Sequence, residues 1–192
     1  MKENIKSQIL ESAKIKKEMV NIGVESIEKA AELLIESIKA GGKILWCGNG
    51  GSAADAQHLA TELMGGMSDH DRMPIPSIAL TTDSSFITAW SNDTDFDSIF
   101  SRQVQGLGEE GDVLVGISTS GNSENVIKGL KASKKNGGLT IGLLGNNGGK
   151  IKNTVDISLV VNATSVPRIQ EAHRVIYHII CEIVEEELAR IE

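Results

Sequence analysis

The chain has 192 residues, of which 40% are hydrophobic and only 3% aromatic, and it carries a formal net charge of −7. A domain of this size buries roughly 70% of the surface its unfolded chain exposes, so it needs no disulfide or metal staple. The acidic balance argues against nucleic acid or an anionic membrane as partner, and no apolar run approaches the ~20 residues that span a bilayer. With so few aromatics, the core must be built mainly from Ile, Leu, Val and Ala. The N-terminal Met1-Lys2-Glu3-Asn4 opens a charged amphipathic stretch rather than a signal-peptide core. The two cysteines, Cys47 and Cys181, lie in apolar segments and read as buried, reduced thiols. Together these features predict a cytoplasmic protein.

Taken in chain order, residues 3–40 read as helix, with Ile5, Ile9, Leu10, Ala13, Ile15 and Met19 at helical spacing and an interruption at Gly23. Gly41-Gly42 stops it. A short buried strand at 43–47 leads through a turn at 48–51 into a helix from Ser52 to about Met64. Residues 65–76 read as loop, 77–82 as strand and about 84–107 as helical. Glu109–Asp112 turns into a strand at 113–118, followed by a helix over about 123–135. A strand at 139–144, a Gly/Asn loop with a short helix, and a strand at 155–161 precede a long last helix at about 167–190. Strands alternating with helices predict an α/β fold, a single domain over 1–192 with a parallel sheet of about five strands flanked by helices. Ligands of such sheets sit beyond the carboxyl ends of the strands, so the loops after the first and third strands should face the site.

The third strand runs into Ser118-Thr119-Ser120-Gly121-Asn122-Ser123-Glu124 directly before a helix. Hydroxyl groups, a glycine and outward-pointing backbone N–H groups at a helix start are the donors a phosphate needs. A plain helix cap by Ser123 accounts for one serine and leaves Ser118 and Ser120 unexplained. The loop has no lysine, so it is not a Gly-x-x-x-x-Gly-Lys nucleotide loop. Gly48-Asn49-Gly50-Gly51-Ser52-Ala53 fits the dinucleotide pattern, but the supporting acidic residue ~20 positions on is missing, which speaks against hydride chemistry.

Two helices carry the remaining polar groups. His58 and Glu62 are four apart and share a helix face, while Gln170 and His178 are eight apart on the last helix, within ~80° of each other. Read from the residues alone, they fit a general acid/base pair, a four-ligand metal site, or an ordinary solvated helix face. His70 and His173 have no comparable company and read as structural.

Along nearly its whole length the chain resembles the sugar isomerase (SIS) domain family, and within it the phosphoheptose isomerases. The residues that carry the resemblance are Cys47–Ser52, Gln57–Leu63, Gly116–Ser123 and Arg168–His173. The resemblance implies conversion of D-sedoheptulose 7-phosphate to D-glycero-D-manno-heptose 7-phosphate, the first step toward nucleotide-activated heptose. It implies Glu62 as the base that moves a proton between C1 and C2 through an enediol, and His178 as the partner acid/base. Ser52, Ser118, Thr119, Ser120 and Ser123 would take the phosphate, and Asn49, Gly50, Gly51, Asn92, Asp93 and Gln170 would line the sugar. His58, Glu62, Gln170 and His178 match positions that bind zinc in some members. A homotetramer is also implied, with residues 1–40 packing on the domain or at subunit interfaces.

One position departs from the family pattern. Members usually carry an arginine soon after the glutamate helix, in a Leu-x-Gly-Arg stretch, where this chain reads Leu63-Met64-Gly65-Gly66. Arg72, or a residue of another subunit, would have to substitute, or the substrate preference differs. Two rival readings remain. One is a non-catalytic SIS protein that binds the bacterial replication initiator, against which the retained Glu62 and His178 speak. The other is an isomerase of another ketose phosphate or an N-acetylated sugar phosphate.

Overall fold

A computed structural model describes residues 1–190; the structure of Ile191 and Glu192 and the side chains of Asn21 and Ile22 lie outside the described residues. The elements follow in the order α1 (Lys2–Ile22), α2 (Val24–Lys39), β1 (Ile44–Gly48), α3 (Gly51–Gly65), β2 (Ser77–Ala79), α4 (Ser84–Asp93), α5 (Ile99–Leu107), β3 (Val113–Ser118), α6 (Glu124–Lys135), β4 (Leu139–Gly145), β5 (Ile157–Val161) and α7 (Val166–Ala189). The five strands form one parallel sheet in the order β2-β1-β3-β4-β5.

Alternation along the strands explains why helices cover both faces. Ile44 and Trp46 of β1, with Val113, Val115 and Ile117 of β3, point into a cluster closed by α2, α3 and α7. Leu45, Cys47 and Leu114 point the other way, onto Phe100 and Val104 of α5 and Val126 and Leu130 of α6. Strands buried on both sides must be apolar at every position, and β1 and β3 are buried throughout.

Boundaries shift from the sequence reading at three places. The edge strand β2 ends at Ala79 rather than 82, because Thr82 Oγ1 folds back to donate to the Ala79 carbonyl. β5 begins at Ile157 rather than 155; just before it, Asp156 Oδ2 accepts from Thr140 N at 2.8 Å and from Thr140 Oγ1 at 2.7 Å. The helical region 84–107 divides because two aspartates each start a new helical segment. Asp83 accepts from Phe86 N at 2.9 Å to cap α4, and Asp95 from Ser98 N at 2.6 Å to cap a 3-10 turn leading into α5. Both thiols are free and buried, as read from the sequence; burial drives the Cys47 thiol far up and that of Cys181 up to about 12. No helix among the described residues is long and apolar enough to cross a membrane.

Candidate active site

The strand order reverses direction between β1 and β3, so the segments leaving these two neighbours open a crevice at the carboxyl edge of the sheet. Gly48 of β1 stands in register with Ile117 of β3, and the loops beyond them carry the glycine-rich turn and the serines. The expected placement of both loops is therefore met.

In the serine loop, the hydroxyl of buried Ser118 lies 3.0 Å from that of Ser123 and 3.4 Å from that of Ser120. Ser123 is the residue that starts α6, yet its side chain does not cap the helix. The bland capping role thus fails, and the three hydroxyls converge on one another at a helix N-terminus, an arrangement suited to an anion. Gly121 has φ +65°, and a Cβ there would overlap the Gly148 carbonyl, so only glycine allows this approach. The loop after β4 braces the serines: Asn146 Nδ2 donates to Thr119 O at 2.9 Å, Lys150 N to Asn122 Oδ1 at 3.1 Å and Ile151 N to Gly121 O at 3.0 Å. Ser52 is buried in the first turn of α3.

Helices α3 and α7 pack against each other. His58 Nε2 and His178 Nε2 are 2.9 Å apart, with one ring donating to the other, and Glu62 Oε1 lies 3.4 Å from His58 Nε2. Residues 120 positions apart in sequence are thus brought together within one subunit. Gln170 is placed elsewhere: it packs against Gly51 at the start of α3, where any Cβ would collide with its amide. Eight residues of helix separate it from His178 by about 12 Å along the axis. Among the described residues, no group of three or more His, Cys, Asp and Glu side chains is arranged to hold a metal ion.

The two helices are held in register by a group that sequence reasoning missed. Tyr177 Oη donates to Asp55 Oδ1 at 3.0 Å, both residues being buried, and Arg174 Nε approaches the same oxygen at 3.5 Å. Burial, followed by the Asp55 charge, pushes the Tyr177 phenol far up, so it stays a donor. The Tyr177 ring stands edge-on to His178 with centroids 4.8 Å apart and 5.9 Å from that of His58, walling the imidazole pair. A buried Asp three residues before a helix-face His-Glu pair gave no periodicity signal; only a partner from α7 explains it.

The SIS domain profile matches residues 9–145. A phosphoheptose isomerase from Clostridium acetobutylicum is 48% identical over 190 residues, covering 98% of this chain and 96% of that protein. The solved structure of a phosphoheptose isomerase from Neisseria gonorrhoeae gives a TM-score of 0.91 at 45% identity, covering 96% of this chain and 98% of that one. One from Francisella tularensis gives 0.92 at 37% identity, covering 96% and 97%. The chain belongs to the phosphoheptose isomerase family of SIS-domain proteins.

The resemblance leads to an arginine being expected just after α3, and the backbone there does not accept one. Gly66 has φ +93°, and a Cβ there would overlap the Asp69 carbonyl, so an arginine side chain has no unstrained place at this position. Arg72 is no free substitute. Its guanidinium pairs with Glu185 of α7 at 2.8 Å and donates to the carbonyls of Glu62, Leu63 and Met73. The expectation that Arg72 could serve substrate from this subunit is thereby corrected: it is buried as a clamp on the end of α3. Burial would raise the Glu185 carboxyl, but the N–H groups of Met67 and Ser68, then Arg72 and the Asp69 N–H, outweigh that and hold it below its ordinary value. His70 also closes this end through Gly65 O at 3.2 Å. Asn92 and Asp93 lie exposed at the end of α4, bonded to each other at 2.8 Å, with no hydrogen bond to the other candidates among the described residues.

Proposed function

We infer that this chain isomerises D-sedoheptulose 7-phosphate to D-glycero-D-manno-heptose 7-phosphate, supplying the first intermediate toward nucleotide-activated heptose. The observation that carries the reading is the meeting of Glu62 and His178 around His58 in a fold whose β3–α6 loop gathers three serine hydroxyls. Membership of a family whose members at 48% identity are named phosphoheptose isomerases supports the substrate.

In the ketose-to-aldose direction, the Glu62 carboxylate takes a proton from C1, and the C–H electrons form the C1=C2 bond of an enediol. His178 donates a proton to O2 as the C2 carbonyl becomes a hydroxyl. It then recovers a proton from O1 while Glu62 returns its own to C2, leaving the aldehyde at C1 with atoms and charge balanced. Each placed acid or base of this kind contributes ~10²- to 10⁴-fold. Ser52, Ser118, Thr119, Ser120 and Ser123 hold the phosphate in this reading, while Asn49, Gly50, Gly51 and Gln170 line the sugar. Asn92 and Asp93, which point from an α4 without buried residues, would complete a neighbouring subunit's site in the homotetramer. Exposed Ile5, Ile9 and Leu10 on α1 support such an assembly of the N-terminal helices, which sedimentation would test.

His58, His178 and Glu62 supply donor types that zinc accepts, though as they stand the three are not arranged around one point as a metal site. In this reading His58, Glu62, Gln170 and His178 would hold the ion. When bound it would polarise the substrate carbonyl and stabilise the enediolate. Zinc added to chelator-treated protein should raise Tm in the wild type and not in His58→Ala; equal responses would dismiss the site. The cytoplasm remains the proposed location.

The reading is tested by assaying sedoheptulose 7-phosphate beside other ketose phosphates. Turnover should be confined to the heptulose, and Glu62→Gln should lower it by at least ~10²-fold with the fold intact. Near-normal activity of that variant would remove Glu62 from the mechanism.

A further inference from the structure

A substrate phosphorylated at one end and reacting at the other must be gripped at two places whose separation is fixed. Here the phosphate grip belongs to the β3–α6 loop and the reacting groups to α3, which follows β1. The backbones of β1 and β3 are paired only as far as Gly48 and Ile117, after which the two segments part. Beyond that point a side-chain link joins them. Asn49 Nδ2 donates to Asn125 Oδ1 at 2.8 Å, and Asn125 Nδ2 donates back to Asn49 Oδ1 at 2.8 Å.

This reciprocal amide pair has the properties of a fixed spacer. Asn125 is buried in the first turn of α6, two residues after Ser123. Its Oδ1 also accepts from Val126 N at 2.9 Å, which satisfies a first-turn donor that Ser123 leaves free and locks the amide's orientation. Two coupled hydrogen bonds resist stretching and rotation more than one does, and in a part-buried site they are stronger than in water. Asn49 stands directly before Gly50 and Gly51, so the pair reaches the sugar-lining turn and the start of the helix that bears His58 and Glu62.

We propose that Asn125 is a positioning residue of the isomerase reaction: through Asn49 it sets the distance between the phosphate-holding serine loop and the reacting end of the site. This rests on the isomerase reading above. It assigns Asn125 no contact with substrate, and it assigns part of the Asn49 side chain to the spacer rather than to the sugar. Misplacement of a bound substrate by about 1 Å can cost on the order of 10²-fold in rate without weakening the grip at either end.

The test compares Asn125→Ala, the near-isosteric Asn125→Asp, Asn49→Ala and the double alanine variant with the wild type, all checked for Tm. Asn125→Asp keeps an acceptor for Val126 N but cannot donate back to Asn49, so it reports on the pair even where the alanine variant folds poorly. Each single variant should lose about 10- to 100-fold in kcat on sedoheptulose 7-phosphate, with inorganic phosphate retaining its competitive inhibition constant within about 2-fold. The double variant should be no worse than either single one, as for two ends of one bond. Unchanged kcat, additive losses, or phosphate inhibition weakening in step with kcat would each overturn the proposal, the last because it marks plain damage to the serine loop. A wild type inert toward the heptulose would overturn the isomerase reading itself, whereas an active wild type with unaffected variants overturns only the spacer.

Discussion

His173 makes the acid stability of this fold calculable. It is fully buried on α7, and its Nε2–H donates to the Leu144 carbonyl at the end of β4 at 3.0 Å. Among the described residues, nothing hydrogen-bonds its buried Nδ1. Protonation would place a charge and a second, unpaired N–H in the core. Burial accordingly lowers its pKa from 6.5 to about 4, outweighing the Leu144 bond and the Asp55 charge, which pull the other way. The group is neutral in the fold and charges readily once unfolded, so the unfolded chain binds more protons between those two values. Stability from this group is therefore full above about pH 6.5 and is lost as pH falls toward about 4. The whole window is worth about 3 kcal/mol, and about 2 kcal/mol of it is spent between about pH 7.5 and about pH 5. Replacing His173 with Gln keeps a donor for Leu144 O and removes the titration. Urea unfolding at fixed protein concentration should therefore show the wild type losing about 2 kcal/mol more than His173→Gln across that interval. Parallel losses, or a His173 imidazole found charged near pH 6 by NMR, would refute the reasoning.

Further outcomes follow from the loops. Ser120→Ala removes one of three converging hydroxyls and should raise KM by about 10-fold with a smaller fall in kcat; an unchanged KM in steady-state assays would move the phosphate elsewhere. Gly66→Arg puts the arginine expected from the resemblance at a left-handed position and should destabilise by about 1–3 kcal/mol, read as a lower urea midpoint, without lowering KM. A stable variant with improved KM would mean that the turn after α3 can rearrange.

Much of this molecule was legible in its residues. Alternating apolar strands and helices predicted the five-stranded parallel sheet, and the serines before a helix predicted a loop of gathered hydroxyls, because both signals are local. The four-residue spacing of His58 and Glu62 placed them together for the same reason. The identity of the reaction came from motifs spread over the chain rather than from any one of them. Where the strand edges and the 84–107 helices fell was less legible, since Asp83, Asp95 and Asp156 act through one or two side-chain hydrogen bonds that periodicity does not register.

The remaining decisions belong to the folded chain alone. Spacing left Glu62 and His178 as residues on two distant helices; packing of α3 on α7 made them neighbours and set Gln170 apart against Gly51. Arg72 looked available until Glu185 and three carbonyls claimed it, and Asn125 looked like an ordinary helix residue until Asn49 met it across the crevice. Composition and periodicity speak for the chain within a few residues, so they determine elements and local donors. Which side chains share a pocket depends on contacts separated by many tens of residues, and those exist only once the sheet has gathered its helices.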